Sequence, residues 1–90
     1  MSKFANLTTG DIVLLTKNGN LCCVSRIDKI VNSKVIRFTN LAGFLNNNYD
    51  HCWHLHTTYE PEIDITFLFK PDPSTPIHQQ IQQLYPELSL

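Results

Sequence analysis

The sequence predicts a mostly β, α+β domain: five short antiparallel strands followed by one C-terminal helix. Three observations carry this. Apolar runs with period-two alternation recur between residues 10 and 69, separated by turn residues. Asn18-Gly19 sits between two of these runs, and an Asn-Gly pair in that position is the strongest short-range sign of a β-hairpin. Beyond residue 76 the period changes to that of a helix, with Ile77, Ile81, Leu84 and Tyr85 forming one stripe. Strands first and a helix last give one layered unit, read as a single domain over 1–90.

The elements follow in order. Gly10-Asp11 reads as a turn opening the first strand, "IVLL" at 12–15. The chain returns through "LCCVSRIDKIV", 21–31, which is long for one strand, so a bend or bulge is expected near Ser25–Arg26. Asn32-Ser33 marks a second tight turn. "KVIRFTN", 34–40, is the third strand, with Ile36 and Phe38 on one face and Val35, Arg37 and Thr39 on the other. "LAGFLNNNYD", 41–50, is a loop, because asparagine side chains compete for backbone hydrogen bonds. The fourth strand runs through "HCWHLHTTY", 51–59, and Pro61 interrupts the pattern. In "IDITFLF", 63–69, Ile63, Ile65, Phe67 and Phe69 share one face, and Asp64, Thr66 and Leu68 the other. Residues 70–75 are a linker. The helix spans 76–85, with Ser74 or Thr75 as cap, Pro76 in its first turn, its stripe packed on the sheet, and Pro86 as its stop.

An open sheet of this kind has exposed edges, and partial closure into a small barrel is the simplest protection. Gly10-Asp11-Ile12-Val13, a polar hairpin and then a long bent strand resemble the opening of SH3-like small barrels. The resemblance covers residues 10–69 and implies a five-stranded antiparallel barrel, from which the last 20 residues depart as an extension. An OB-like barrel is the alternative.

Composition narrows the class. The chain is 42% hydrophobic, as in ordinary globular proteins, but only 17% charged, which leaves surface free for a partner or a second copy. Charge is uneven. Residues 1–45 carry six cations against Asp11 and Asp28, a net of +4, while residues 46–90 carry Lys70 against six carboxylates, a net of −5. Such halves attract each other in a fold, and a pI near 6.4 argues against strong non-specific nucleic-acid binding while leaving room for a local basic face. Three cysteines are an odd number, and Cys22 and Cys23, as strand neighbours, are expected on opposite faces. All three read as reduced, hence cytoplasmic. No signal peptide is visible, and the longest apolar run, 12–15, is too short to span a membrane.

The densest chemistry is "HCWHLH", 51–56. Period-two alternation separates it: Trp53, Leu55, Thr57 and Tyr59 turn to the core, and Cys52, His54, His56 and Thr58 to a polar face. Cys52, His54 and His56 are candidate zinc ligands, with Cys22, Cys23, His51 or His78 as a fourth, although the usual paired zinc spacings are missing. No nucleophile–base pair, phosphate loop or serine elbow appears, so no catalytic residue and no cofactor are assigned.

A basic set, Arg26, Lys29, Lys34 and Arg37, lies on the second hairpin and can meet nucleic-acid phosphates. Lys29 joins Arg26 on one face only if the strand bulges; otherwise these lysines merely solubilise an edge. Phe44, Leu45 and Tyr49 in the Asn-rich loop are candidate contacts for a protein partner. The preferred expectation is a non-enzymatic protein-binding regulator or inhibitor, of the size phages and mobile elements use to occupy larger host proteins. Nucleic-acid binding and a zinc module are the alternatives.

Overall fold

A computed structural model of the chain describes residues 6–43 and 52–86. Five strands, β1 (Ile12–Lys17), β2 (Asn20–Ile30), β3 (Val35–Gly43), β4 (Cys52–His56) and β5 (Ile63–Phe69), precede one helix, α1 (Ile77–Leu84). They form a single antiparallel sheet in the order β4-β3-β2-β1-β5. The first hairpin turns as expected. Asn18 and Gly19 both take positive φ, 52° and 82°, as a type I′ turn requires. At the second turn, Asn32 Oδ1 accepts the backbone N–H groups of Lys34 and Val35. Strand β3 therefore starts at Val35, and Lys34 lies in the turn rather than on the strand.

The sheet is curled but open. No ladder joins its edge strands, β4 and β5, among the described residues, so the expected small, partly closed barrel is corrected to an open sheet. In a flat sheet those edges would lie about 19 Å apart. The link between them holds two consecutive turns: Tyr59 and Glu60 donate to His56 O, and Ile63 donates to Glu60 O. Two such turns reach about 14 Å at most, so the sheet has to bend its edges toward each other. Asn18 N–H donates to Glu62 O at 3.1 Å and pins this link beneath the first hairpin. Strand β4 stops at His56, short of the expected residue 59, because His56 O is taken by the turn.

Each face of the sheet has its own core. The inner, concave face carries Val13, Leu15, Ile27, Ile36, Phe38, Leu55 and Ile63, with the Trp53 ring 5.5 Å from that of Phe38 and tilted by 43°. The outer face carries Ile12, Val24, Leu41 and Ala42 at one end, where α1 lays Ile77, Ile81 and Tyr85 over them. Helix packing therefore uses only part of the outer face.

Four single-residue bulges set which side chains go where. They fall at Cys22 and Asp28 in β2, Leu41 in β3 and Leu68 in β5. A bulge re-aims the residues around it. Ala42 and Phe69 thereby join Leu41 and Leu68 in the core under α1, so Phe69 does not share a face with Ile63 and Ile65. The bulge at Cys22 lays both Cys22 and Cys23 against the inner core, not on opposite faces; both are free thiols. The bulge expected near Ser25–Arg26 falls on the partner strand, where Leu41 is the extra residue opposite the Val24–Ser25 step.

The helix shows two further corrections. Its N-cap position is Pro76, and no side chain caps it. Ser74 instead donates through its backbone N–H and its hydroxyl to Asp72 Oδ1, and Gln80 Nε2 holds the linker by donating to Asp72 O and Thr75 O. Leu84 is 51% exposed, so the packed stripe is Ile77, Ile81 and Tyr85. Among the described residues no helix is long and apolar enough to cross a membrane.

Asp11 ties the sheet together. It is 2% exposed, accepts Thr8 N–H at 2.9 Å and Thr8 Oγ1 at 3.1 Å, and pairs with Lys70 Nζ at 2.9 Å. Lys70 follows β5, so the ion pair joins the start of β1 to the end of β5. Burial pushes the Asp11 carboxyl up, but the hydrogen bonds from Lys70 and Thr8 outweigh it and hold the group below the usual carboxylate range.

Candidate functional site

The half of the outer face that α1 leaves uncovered is polar. Strands β2, β3 and β4 build it from alternating positions. Ile36 and Phe38 turn inward, so Val35, Arg37 and Thr39 turn outward, as the alternation predicts. Register then fixes their neighbours. Arg37 lies opposite Lys29 on one side and His54 on the other; Thr39 lies between Arg26 and Cys52; Val35 faces His56.

Lys29 reaches this face because Asp28 is a bulge. Without the extra residue, Lys29 would follow Ile27 by two and point into the core. The bulge therefore meets the condition on which the basic set depended: Arg26, Lys29 and Arg37 share one face, and Lys34 stands at its end in the turn. The two histidines proposed as metal ligands share that face as well. The sequence treats cations and histidines as separate sets, and the structure makes them one surface.

Within it, two rows behave differently. In the first, Thr39 Oγ1 donates to Asp28 Oδ2, Arg26 Nε donates to Asp28 Oδ1 at 3.1 Å, and Cys52 Sγ lies 3.1 Å from Thr39 Oγ1. A threonine hydroxyl has one proton, and Asp28 takes it, so the Cys52 thiol is the donor to Thr39. The chain Cys52, Thr39, Asp28, Arg26 is thus self-satisfied across three strands. In the second row, Lys29, Arg37 and His54 stand side by side, all exposed, and none pairs with a described carboxylate.

Next to these rows lies an aromatic pair. The Tyr59 ring sits 5.5 Å from that of His56, tilted by 43°. Tyr59 was expected on the core face; it is 79% exposed, because β4 ends at His56 and the following turn carries Tyr59 out of the sheet. Sequence reasoning missed its place for that reason, and the nearest available signal was Pro61, two residues on.

The metal question has a geometric answer. Cys22 and Cys23 pack on the inner face, away from His54 and His56 on the outer one. Among the described residues, no group of three His, Cys, Asp or Glu side chains is placed to hold a metal ion. His51, Phe44, Leu45 and Tyr49 lie outside the described residues, and His78 is on the exposed side of α1. Cys23 instead joins a small polar cluster on the inner face. Asn40 Oδ1 accepts from Ser25 Oγ at 2.8 Å, Trp53 Nε1 at 2.8 Å and Cys23 Sγ at 3.5 Å. Burial raises the Cys23 thiol above its ordinary value, which keeps it protonated and unreactive.

Neither a protein-family model, nor a curated protein, nor a solved structure matches this chain.

Proposed function

We propose that this protein is a non-enzymatic binding module that holds nucleic acid on the outer face of β2, β3 and β4. The observation that carries this is the cross-strand pair Lys29–Arg37, with His54 beside Arg37 on the next strand. Like charges directly opposite on neighbouring strands destabilise a sheet by a few tenths of a kcal/mol or more. Lysines kept only for solubility have no need of such opposition, whereas a run of phosphates relieves it. Among the described residues of these strands the carboxylate on this face is Asp28, already engaged by Arg26 and Thr39. Among the described carboxylates of the second half, Glu62 lies 4.0 Å from Lys17, at the end of β1 away from Lys29.

The strand order and the curl of the sheet support an SH3-like reading of residues 10–69, since pairing β4 with β5 is the one step that separates it from a closed barrel. Three free thiols support a reducing compartment, the cytoplasm. The regulator reading rests on small size, low charge, the missing catalytic set and the loop residues Phe44, Leu45 and Tyr49, which lie outside the described residues.

The test is binding of a labelled mixed-sequence oligonucleotide, followed by fluorescence anisotropy across a salt series. Affinity falls with salt, and Lys29→Ala/Arg37→Ala lowers the steepness of that dependence by about 1 to 2 log units per log unit of salt. Wild-type protein that fails to bind, or a double variant that binds like the wild type, rejects the proposal.

A further inference from the structure

We infer that Tyr59, seated against His56, is a base-stacking position, and that the ligand of the cationic face is a single strand with unpaired bases. The inference rests on the nucleic-acid reading above and specifies its substrate.

Four observations converge. Tyr59 is the most exposed large apolar side chain among the described residues, at 79%. It is nevertheless held in place: its N–H donates to His56 O at 3.1 Å, and its ring meets the His56 ring. The turn that carries it is anchored to the basic hairpin, since Thr57 donates through its N–H at 2.9 Å and its hydroxyl at 3.2 Å to Lys34 O. His56 follows His54 by two positions on the same strand face, roughly 7 Å along β4, so the aromatic pair begins where the row Lys29, Arg37, His54 ends.

A cationic track beside an exposed ring is the combination that binds single strands without reading their sequence, because every base has a π-face to stack. A duplex buries those faces between its own base pairs, so it can use only the cations. Charge sets the direction of the strand. Glu60 follows Tyr59 and repels phosphate there, while Lys29 and Arg37 attract it. The backbone therefore runs over the cation row, and a base swings out onto Tyr59.

The experiment compares fluorescein-labelled single-stranded DNA of mixed sequence, the same sequence as RNA, the corresponding duplex, and an abasic strand of equal length. Tyr59→Ala is expected to weaken binding of both single strands about tenfold, with the salt dependence unchanged. Tyr59→Phe restores affinity, duplex binding is unaffected, and the abasic strand binds wild-type protein as weakly as normal strands bind Tyr59→Ala. Thermal melting confirms that the variants fold, as the exposure of Tyr59 leads one to expect. If Tyr59→Ala binds single strands as tightly as the wild type while Lys29→Ala/Arg37→Ala does not bind, stacking is overturned and the cationic face stands. Equal wild-type affinity for single strand and duplex also overturns stacking. If no oligonucleotide binds, or polyglutamate displaces it as well as a second oligonucleotide does, both readings fall.

Discussion

Asp11 and Lys29 show how single residues divide between holding the fold and opening a surface. Asp11 is buried and fully hydrogen-bonded. Asp11→Asn puts an amide group among donors from Thr8 and Lys70 and is expected to cost about 2 kcal/mol, read from urea unfolding. The pH dependence has a definite sign. The native carboxyl titrates below its unfolded value of about 3.9, so its contribution is complete above that pH and disappears as pH falls through the native value. The gap between wild type and Asp11→Asn should therefore be full at neutral pH and close in strong acid. Lys29 is the opposite case. Lys29→Glu places a carboxylate directly across from Arg37 and should stabilise the domain by about 0.5 kcal/mol while weakening oligonucleotide binding. A variant that melts higher and binds less would show that the cation is kept for the ligand.

At the scale of elements, most of the fold was legible. Five strands, the type I′ hairpin and the helix lie where alternation, Asn18-Gly19 and the Ile77–Ile81–Tyr85 spacing put them, except that β3 runs on through Leu41, Ala42 and Gly43, which read as loop, because Ala42 and Gly43 keep pairing with β2. The faces were legible only where alternation is unbroken, as in Ile36, Arg37 and Phe38. They failed at the bulges, because a one-residue insertion in a ladder depends on the partner strand and leaves no mark in local periodicity. Cys22 and Phe69 were misplaced for this reason, and Leu84 because a helical stripe is wider than the strip of sheet it covers. Ile81 and Leu84 test that last point. Ile81→Ala removes a fully buried side chain and should cost about 3 kcal/mol, whereas Leu84→Ala should cost under about 1 kcal/mol in the same urea titration.

For the whole molecule, the deciding fact is that the two faces of one sheet do different work. The inner face and the α1 end of the outer face hold the apolar core, and the remaining outer face gathers cations from β2, β3 and the turn between them with histidines from β4. That gathering could not be read from the chain, since Lys29, Arg37 and His54 are neighbours only through register. The charge asymmetry was legible as a fact and not as a surface: the positive half of the sequence supplies the face, and a net charge of −1 for the chain hides it. Local field, not net charge, governs what such a surface attracts.

The two bulges in β2 have one more consequence. Each is a shift of phase by a single residue, and the two cancel. At the first hairpin and again at Lys29–Ile30, even-numbered residues face inward; between Cys22 and Asp28, odd-numbered residues do. The strand thus conserves phase from end to end while inverting it in the middle, where Cys23, Ser25 and Ile27 enter the core. A change in length at either bulge alone would be felt as a frameshift is felt in a reading frame: local sequence intact, every later side chain on the wrong side.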